Sequence, residues 1–309
     1  VFLQPTAFLA SEDAMNRVWS LDESLAYTRW LATHHYENFQ VVSFLLPKRL
    51  HQDFYNVYSF CRWADDLGDE IGNTAESLRL LAWWRGELDA MYANELTRHP
   101  VFVALRGTAQ QHGLPIEPFA DLVTAFEQDQ TVTRYRDFDH LLEYCRSSAN
   151  PVGRLVLGLC GYRDEERYAL SDATCTALQL ANFWQDVTVD LEKDRVYLPL
   201  SLLEAHGYPV DALFARRFDD RFRAAMREAV EVARGLFLKG LPLADRVDRR
   251  LSIDLELFSR GGMRVLDKIE QQGYDVLSAR PAISKMERVG LLLGALRRRA
   301  FFTTPTRAA

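Results

Sequence analysis

The chain has 309 residues, 48% of them apolar and 26% charged, which is enough to bury a sizeable core and excludes a disordered polypeptide. Its formal net charge of −6 excludes binding of nucleic acid through bulk positive charge. Only five of its 37 basic residues are lysines; the planar arginine fork suits phosphate, although genomic base composition more often explains such a bias.

In chain order, apolar residues at three- and four-residue spacing predict helices over 22–34, 47–67, 75–92, 99–112, 116–128, 137–161, 165–191, 211–239, 246–273 and 281–299. Alternating β-branched runs are nearly absent. Breaks are expected at HGLPIEP (112–118), HGYPV (206–210) and ARPA (279–282). Within SANPVG (148–153), Pro151 should kink the helix over 137–161, push Asn150 away from helical geometry and free a carbonyl. Without a linker, repeat or low-complexity stretch, one all-α domain over 1–309 is expected. Its core would lie within about 22–299 and its termini would be peripheral; two helical subdomains are the alternative.

The four cysteines (Cys61, Cys145, Cys160 and Cys175) form no CxxC pair and sit in apolar helical patterns, as buried thiols of a reducing compartment do. The first residues lack a basic segment followed by a long apolar one, so no signal peptide is expected. No run reaches the roughly 18 apolar residues of a membrane-spanning helix. VGLLLGAL (289–296), followed by Arg297, Arg298 and Arg299, reads first as a packed last helix with a basic end, and second as a membrane-surface contact. The expected location is cytoplasmic, with peripheral contact at the inner membrane face as an option.

Two segments carry chemistry. CRWADDLGDE (61–70) places Asp65 and Asp69 one helical turn apart, with Asp66 and Glu70 repeating that spacing one residue round at the margin. Tyr58 and Arg62 precede them, so Tyr58, Arg62, Asp65 and Asp69 form a stripe. Alone, such an acidic pair is most often a solvated face. The segment 178–199, LQLANFWQDVTVDLEKDRVYLP, repeats the spacing with Asp186 and Asp190, preceded by Gln179 and Asn182 on the same face. A polar stripe on an otherwise apolar helix is expected to point inward, where carboxylates require compensation. Two such stripes facing each other would repel when empty. Mg²⁺ suits them, being a hard cation held by a few carboxylates, water and substrate phosphates. Arg62 and Arg195 offer bidentate forks to a diphosphate. Phe39, Phe44, Phe60, Phe126, Phe183 and Trp184 are candidates for an apolar cavity, most of them for the core. The chemistry implied by carboxylate-held Mg²⁺ and arginines beside an apolar cavity is ionisation of a diphosphate with little water present; no HExxH, P-loop or dinucleotide glycine signature is present.

These motifs resemble the squalene/phytoene synthase family, the head-to-head prenyl synthases. YSFCRWADDLGDE (58–70) matches the family's first aspartate motif, and QLANFWQDVTVDLEKDRVYLP (179–199) its second, down to Arg195, Tyr197, Leu198 and Pro199. The likeness runs from about residue 25 to 275 and includes LLEYCRSSANPVGRLVL (141–157). It implies an all-α isoprenoid-synthase bundle with a central active-site cavity, an isoprenoid diphosphate substrate, and Mg²⁺ on Asp65, Asp69, Asp186 and Asp190. Tyr58, Arg62, Gln179, Asn182, Arg195 and Tyr197 would line the same site. In HHYENF (34–39), Asn38 takes the place of a serine that contacts diphosphate in many members, with His35 and Phe39 beside it. Asp194 replaces the glycine usual before Arg195.

HYENF together with SANPVGRLVL is similar to the hopanoid-pathway branch. That branch implies loss of diphosphate from presqualene diphosphate to give hydroxysqualene (or squalene), without NADPH when the product is hydroxysqualene, and handover to neighbouring pathway enzymes. A full synthase condensing two farnesyl or geranylgeranyl diphosphates is the nearest alternative. A silent helical assembly factor should have lost members of both stripes, yet all four aspartates are present. A di-iron bundle needs paired Glu-x-x-His motifs that the chain lacks. His34 reads equally as a site residue or as a helix-end histidine bonded to a carbonyl. Tyr144 reads equally as cavity or core.

Overall fold

The computed structural model describes residues 2–34 and 46–299. Along them run α1 (Pro5–Leu9), α2 (Glu12–Asn16), α3 (Leu21–His34), α4 (His51–Asp69), α5 (Thr74–Tyr92), α6 (Pro100–His112), α7 (Glu117–Asp129) and α8 (Phe138–Ser148). They continue with α9 (Asn150–Leu159), α10 (Glu165–Gln185), α11 (Val187–Glu192), α12 (Leu200–Ala205), α13 (Val210–Phe214), α14 (Asp220–Gly240), α15 (Arg249–Gln271) and α16 (Lys285–Arg299). Among the described residues there is no strand, only an isolated bridge between Arg134 and Val196. The all-α expectation holds. Two compact units form: Val1–Thr131 with Arg154–Arg163, and Val132–Gly153 with Asp164–Ala309. No described helix is long and apolar enough to cross a membrane.

In the first unit α4 is central and packs against α3, α5, α6 and α7. Buried polar groups fix its register. Asn56 accepts from the Thr28 hydroxyl (2.6 Å) and donates to Thr108 Oγ1 (3.0 Å), which in turn donates to Asp53 (2.8 Å). Each of these groups is satisfied in a dry setting, so the network specifies how α3, α4 and α6 align. Around Trp63 of α4 the packing is aromatic: Trp84 stacks on it with centroids 5.3 Å apart, and the His99 ring meets its face edge-on at 4.4 Å. The N-terminal residues, expected at the periphery, belong to this core: Phe8 is buried and lies edge-on to Trp63 at 5.2 Å.

His99 caps α6, its Nδ1 accepting from the Val101 N–H at 3.3 Å. Burial pushes its imidazole down to about 3. The unfolded chain's histidine takes up a proton near pH 6.5 while the folded one stays neutral, so folding stability falls as pH drops from about 6.5 toward 3. His99→Asn, which keeps a capping acceptor, should flatten that part of the curve when urea unfolding is followed between those limits; an unchanged slope would assign the acid loss to other groups.

In the second unit α10 is the central helix, packed against α14, α15 and α8. Asp164 starts it by accepting from the Arg167 N–H at 3.0 Å. Two neighbours approach it through glycines. A Cβ on Gly153 would sit 2.6 Å from Cys175 Sγ, and one on Gly240 would sit 2.9 Å from the Thr174 backbone nitrogen, both closer than real contacts allow. The Trp184 indole N–H donates to Ala229 O at 3.0 Å, tying the other end of α10 to α14.

Three predicted helices are broken. The one over 137–161 stops at Ala149, which leaves regular helical geometry at φ −119°, so the break precedes Asn150 rather than falling on it. Asn150 opens α9, with its buried side chain accepting from the Thr176 hydroxyl at 2.9 Å. The helix over 165–191 breaks at Asp186 (φ −104°, ψ 15°) and resumes as α11. The helix over 211–239 divides into α13 and α14, because the Asp219 carboxylate caps α14 by accepting from the Arg221 and Phe222 N–H groups, each at 3.0 Å.

The four cysteines form no disulfide. Burial pushes the thiols of Cys61 and Cys145 up to about 12 and that of Cys175 to about 11, which leaves them unreactive at neutral pH.

Candidate active site

The first aspartate motif occupies the last turns of α4. Arg62 is buried and lies between two carboxylates: Nη1 is 3.1 Å from Asp65 Oδ2, and Nη2 donates to Asp66 Oδ1. Asp66, expected at the margin, is almost fully buried with Arg62. It holds the guanidinium, while Asp65 is half-exposed and Asp69 and Glu70 lie in solvent. Gln130 of the segment after α7 donates to Gly68 O at 2.9 Å and secures the end of the helix. Tyr58 is half-buried two turns before Asp65.

The second motif straddles the joint at Asp186. The Asp190 N–H donates to Asp186 O at 2.9 Å, which keeps the two aspartates one turn apart despite the break. Gln179, Asp186 and Asp190 are half-buried and Asn182 is exposed, so the stripe expected to point into a dry core instead reaches water. That exposure spares the carboxylates most of the desolvation cost of burial.

Asp186 is held by a residue the sequence reading did not select. Arg280 forks onto it, Nε donating to Oδ1 and Nη2 to Oδ2 (3.2 Å), and Gln185 next door donates to Pro281 O at 2.6 Å. The fork pushes the guanidinium of Arg280 up from its ordinary value.

Beyond α11, the Arg195 N–H returns to Asp190 O at 2.9 Å. Asp194, in the place of the family's usual glycine, adopts φ 55°, the left-handed region that glycine enters freely. Its cost is offset by Arg134, whose Nη2 lies 2.5 Å from Asp194 Oδ1 while Nη1 donates to Asp194 O. Tyr197 is buried with its ring stacked on Phe183, centroids 3.6 Å apart and planes within 7°; Tyr144 flanks both at 6.3 Å. Phe183, Asp190, Arg195 and Tyr197 line one small cavity of about 10 Å³, room for a single water at most.

Of the other aromatic candidates, Phe60 and Trp184 are fully buried core. His34 ends α3 with Nδ1 3.1 Å from Trp30 O, a helix-end histidine bonded to a carbonyl. His35, Asn38, Phe39 and Phe44 lie outside the described residues.

Among the described residues no three His, Cys, Asp or Glu side chains converge to hold a metal ion unaided. Mg²⁺ commonly takes one or two carboxylates and completes its shell with water and phosphate oxygens, so the chemistry of each aspartate pair is compatible with such an ion. Paired aspartates that reach solvent, with arginines alongside, fit that description.

A chain of this fold with two such motifs is an isoprenoid-synthase-type protein. It overlays the solved squalene synthase HpnC of Alicyclobacillus acidocaldarius with a TM-score of 0.79 and 44% identity, covering 82% of this chain and 95% of that one. A dehydrosqualene synthase shares the fold at TM-score 0.80 and 23% identity, over 90% and 97% of the two chains. Among curated relatives, the hydroxysqualene synthase of Zymomonas mobilis is 34% identical, over 87% of this chain and 90% of its own length. The phytoene synthase of Thermus thermophilus is also 34% identical, over 84% and 87%. The squalene/phytoene synthase family model matches residues 32–287. The chain belongs to the squalene/phytoene synthase family.

Proposed function

We propose that this protein converts presqualene diphosphate to hydroxysqualene and diphosphate, as a Mg²⁺-dependent step of hopanoid or triterpene formation. The observation that carries this reading is the 44% identity to a squalene synthase HpnC over 82% of the chain. The HYENF and SANPVGRLVL segments agree with it. Asp65, Asp69, Asp186 and Asp190 would hold Mg²⁺, which when bound supplies positive charge against the leaving diphosphate. Arg62, Arg195, Gln179, Asn182 and Tyr58 orient the diphosphate oxygens, with His35, Asn38 and Phe39 as further contacts. The carbon–oxygen bond to diphosphate breaks heterolytically; the cyclopropylcarbinyl cation rearranges by migration and then opening of a ring carbon–carbon bond, and water adds to the resulting acyclic allylic cation and sheds a proton. No reductant is consumed.

Incubation with presqualene diphosphate and Mg²⁺ should yield hydroxysqualene by mass, in equal amount with and without NADPH. Squalene formed only with NADPH would replace this with the reductive reaction. The 34% identity to a phytoene synthase, equal to that with the hydroxysqualene synthase of Zymomonas mobilis, supports a second reading, condensation of two farnesyl or geranylgeranyl diphosphates. Consumption of those substrates, with presqualene diphosphate untouched, would establish it.

A further inference from the structure

The helix α16 has two faces of different character. Toward α15 it presents Glu287, which accepts from Arg264 Nε at 3.1 Å and pairs with Lys268 at 2.7 Å, together with the buried Ala295 and Arg298, which pairs with Glu256. These ion pairs hold the Glu287 carboxyl far below the usual range, so this attachment persists at any pH near neutral. The opposite arc carries Met286, Val289, Leu293 and Leu296, which are 82%, 53%, 60% and 37% exposed. They recur at three- and four-residue spacing and form one continuous stripe.

Lys285 and Arg288 flank that stripe on one side and Arg297 on the other, all exposed. The helix's single acidic residue, Glu287, is turned inward to its partners. An exposed apolar stripe bordered only by cations is the pattern of a helix that lies in the headgroup region of a bilayer. A second copy of the chain is a poor occupant, because a two-fold contact would bring these cations together. The remainder of this net-negative chain is repelled by an anionic surface, so α16 would also set which side faces the lipid.

We propose that the outward face of α16 docks the protein on anionic lipid bilayers. The attachment is peripheral and reversible: the stripe enters the acyl boundary, and Lys285, Arg288 and Arg297 meet lipid phosphates. It uses no part of the aspartate motifs and holds whatever the substrate is.

The test is flotation of the 309-residue chain with phosphatidylcholine vesicles with and without phosphatidylglycerol. The chain should float only with the anionic vesicles and be released by salt. Reversing Lys285, Arg288 and Arg297 to Glu should weaken partition about fivefold or more per residue. Val289→Asp with Leu293→Asp should abolish it, while Leu96→Asp, at an exposed leucine elsewhere, should leave it unchanged. All are surface changes, and an unaltered helical circular-dichroism spectrum verifies the fold. Absence of flotation, equal flotation with neutral vesicles, or flotation indifferent to both variant sets would overturn the proposal. So would a dimer in analytical ultracentrifugation that Leu293→Asp dissolves.

Discussion

Alanine at Asp65 or at Asp186 should lower kcat on a prenyl diphosphate by about 10²–10³-fold, the loss expected when a charge-stabilising group is removed from a leaving-group site. Neither change should unfold the chain. Asp65 is half-exposed, and without it Arg62 keeps its pairing with Asp66. Asp186 is partly open to water, and Arg280, which is more exposed still, can be hydrated once its partner is gone. Steady-state turnover with excess Mg²⁺, measured beside thermal unfolding, separates a lost site from a lost fold. Turnover within a few-fold of the native chain for both variants would remove the aspartates from the chemistry.

Arg62→Ala should do the opposite and damage the fold as well as the site. The guanidinium and the Asp66 carboxylate are buried together, so truncating one strands a charge in the core, a change that typically costs about 3–5 kcal/mol. Urea unfolding should show the free energy of unfolding lowered by that amount, with a correspondingly lower midpoint. Combining Arg62→Ala with Asp66→Ala should recover much of the stability, since the stranded carboxylate is then gone, while turnover stays low. If the double variant were no more stable than Arg62→Ala, the burial of this pair would not be the source of the loss.

The helices were legible because three- and four-residue apolar spacing survives in a long chain with little competing β pattern. The joints were less so. Asp186 and Ala149 break helices whose apolar periodicity continues across the break, and periodicity cannot register a change in a single backbone angle. The Asp219 cap is different: Asp219 and Asp220 before the next apolar run are an N-terminal signal that the sequence displays.

Within the site, the stripe of Arg62 and Asp65 was readable from spacing. Which carboxylate would be buried was not, because that depends on elements remote in sequence that enclose Asp66. Arg280 was missed for the same reason. Its partner Asp186 lies far upstream, and ARPA reads locally only as a helix breaker. Asp194 was noticed as a substitution, but its meaning needed the backbone: a left-handed residue whose side chain and carbonyl are both held by Arg134.

The glycine contacts along α10 bear on how this protein could be redesigned. Gly153 and Gly240 both grip the helix around Thr174 and Cys175, three turns or more before Asp186. At that end the helix axis is a fixed datum: a methyl group added at Gly240 presses on the Thr174 backbone, and one added at Gly153 presses on the Cys175 side chain. Downstream, the helix breaks at Asp186 and resumes as α11. Changes of substrate length or product are therefore better sought in α11 and the segment through Tyr197 than in the first half of α10, where any gain in volume is opposed by the clamp.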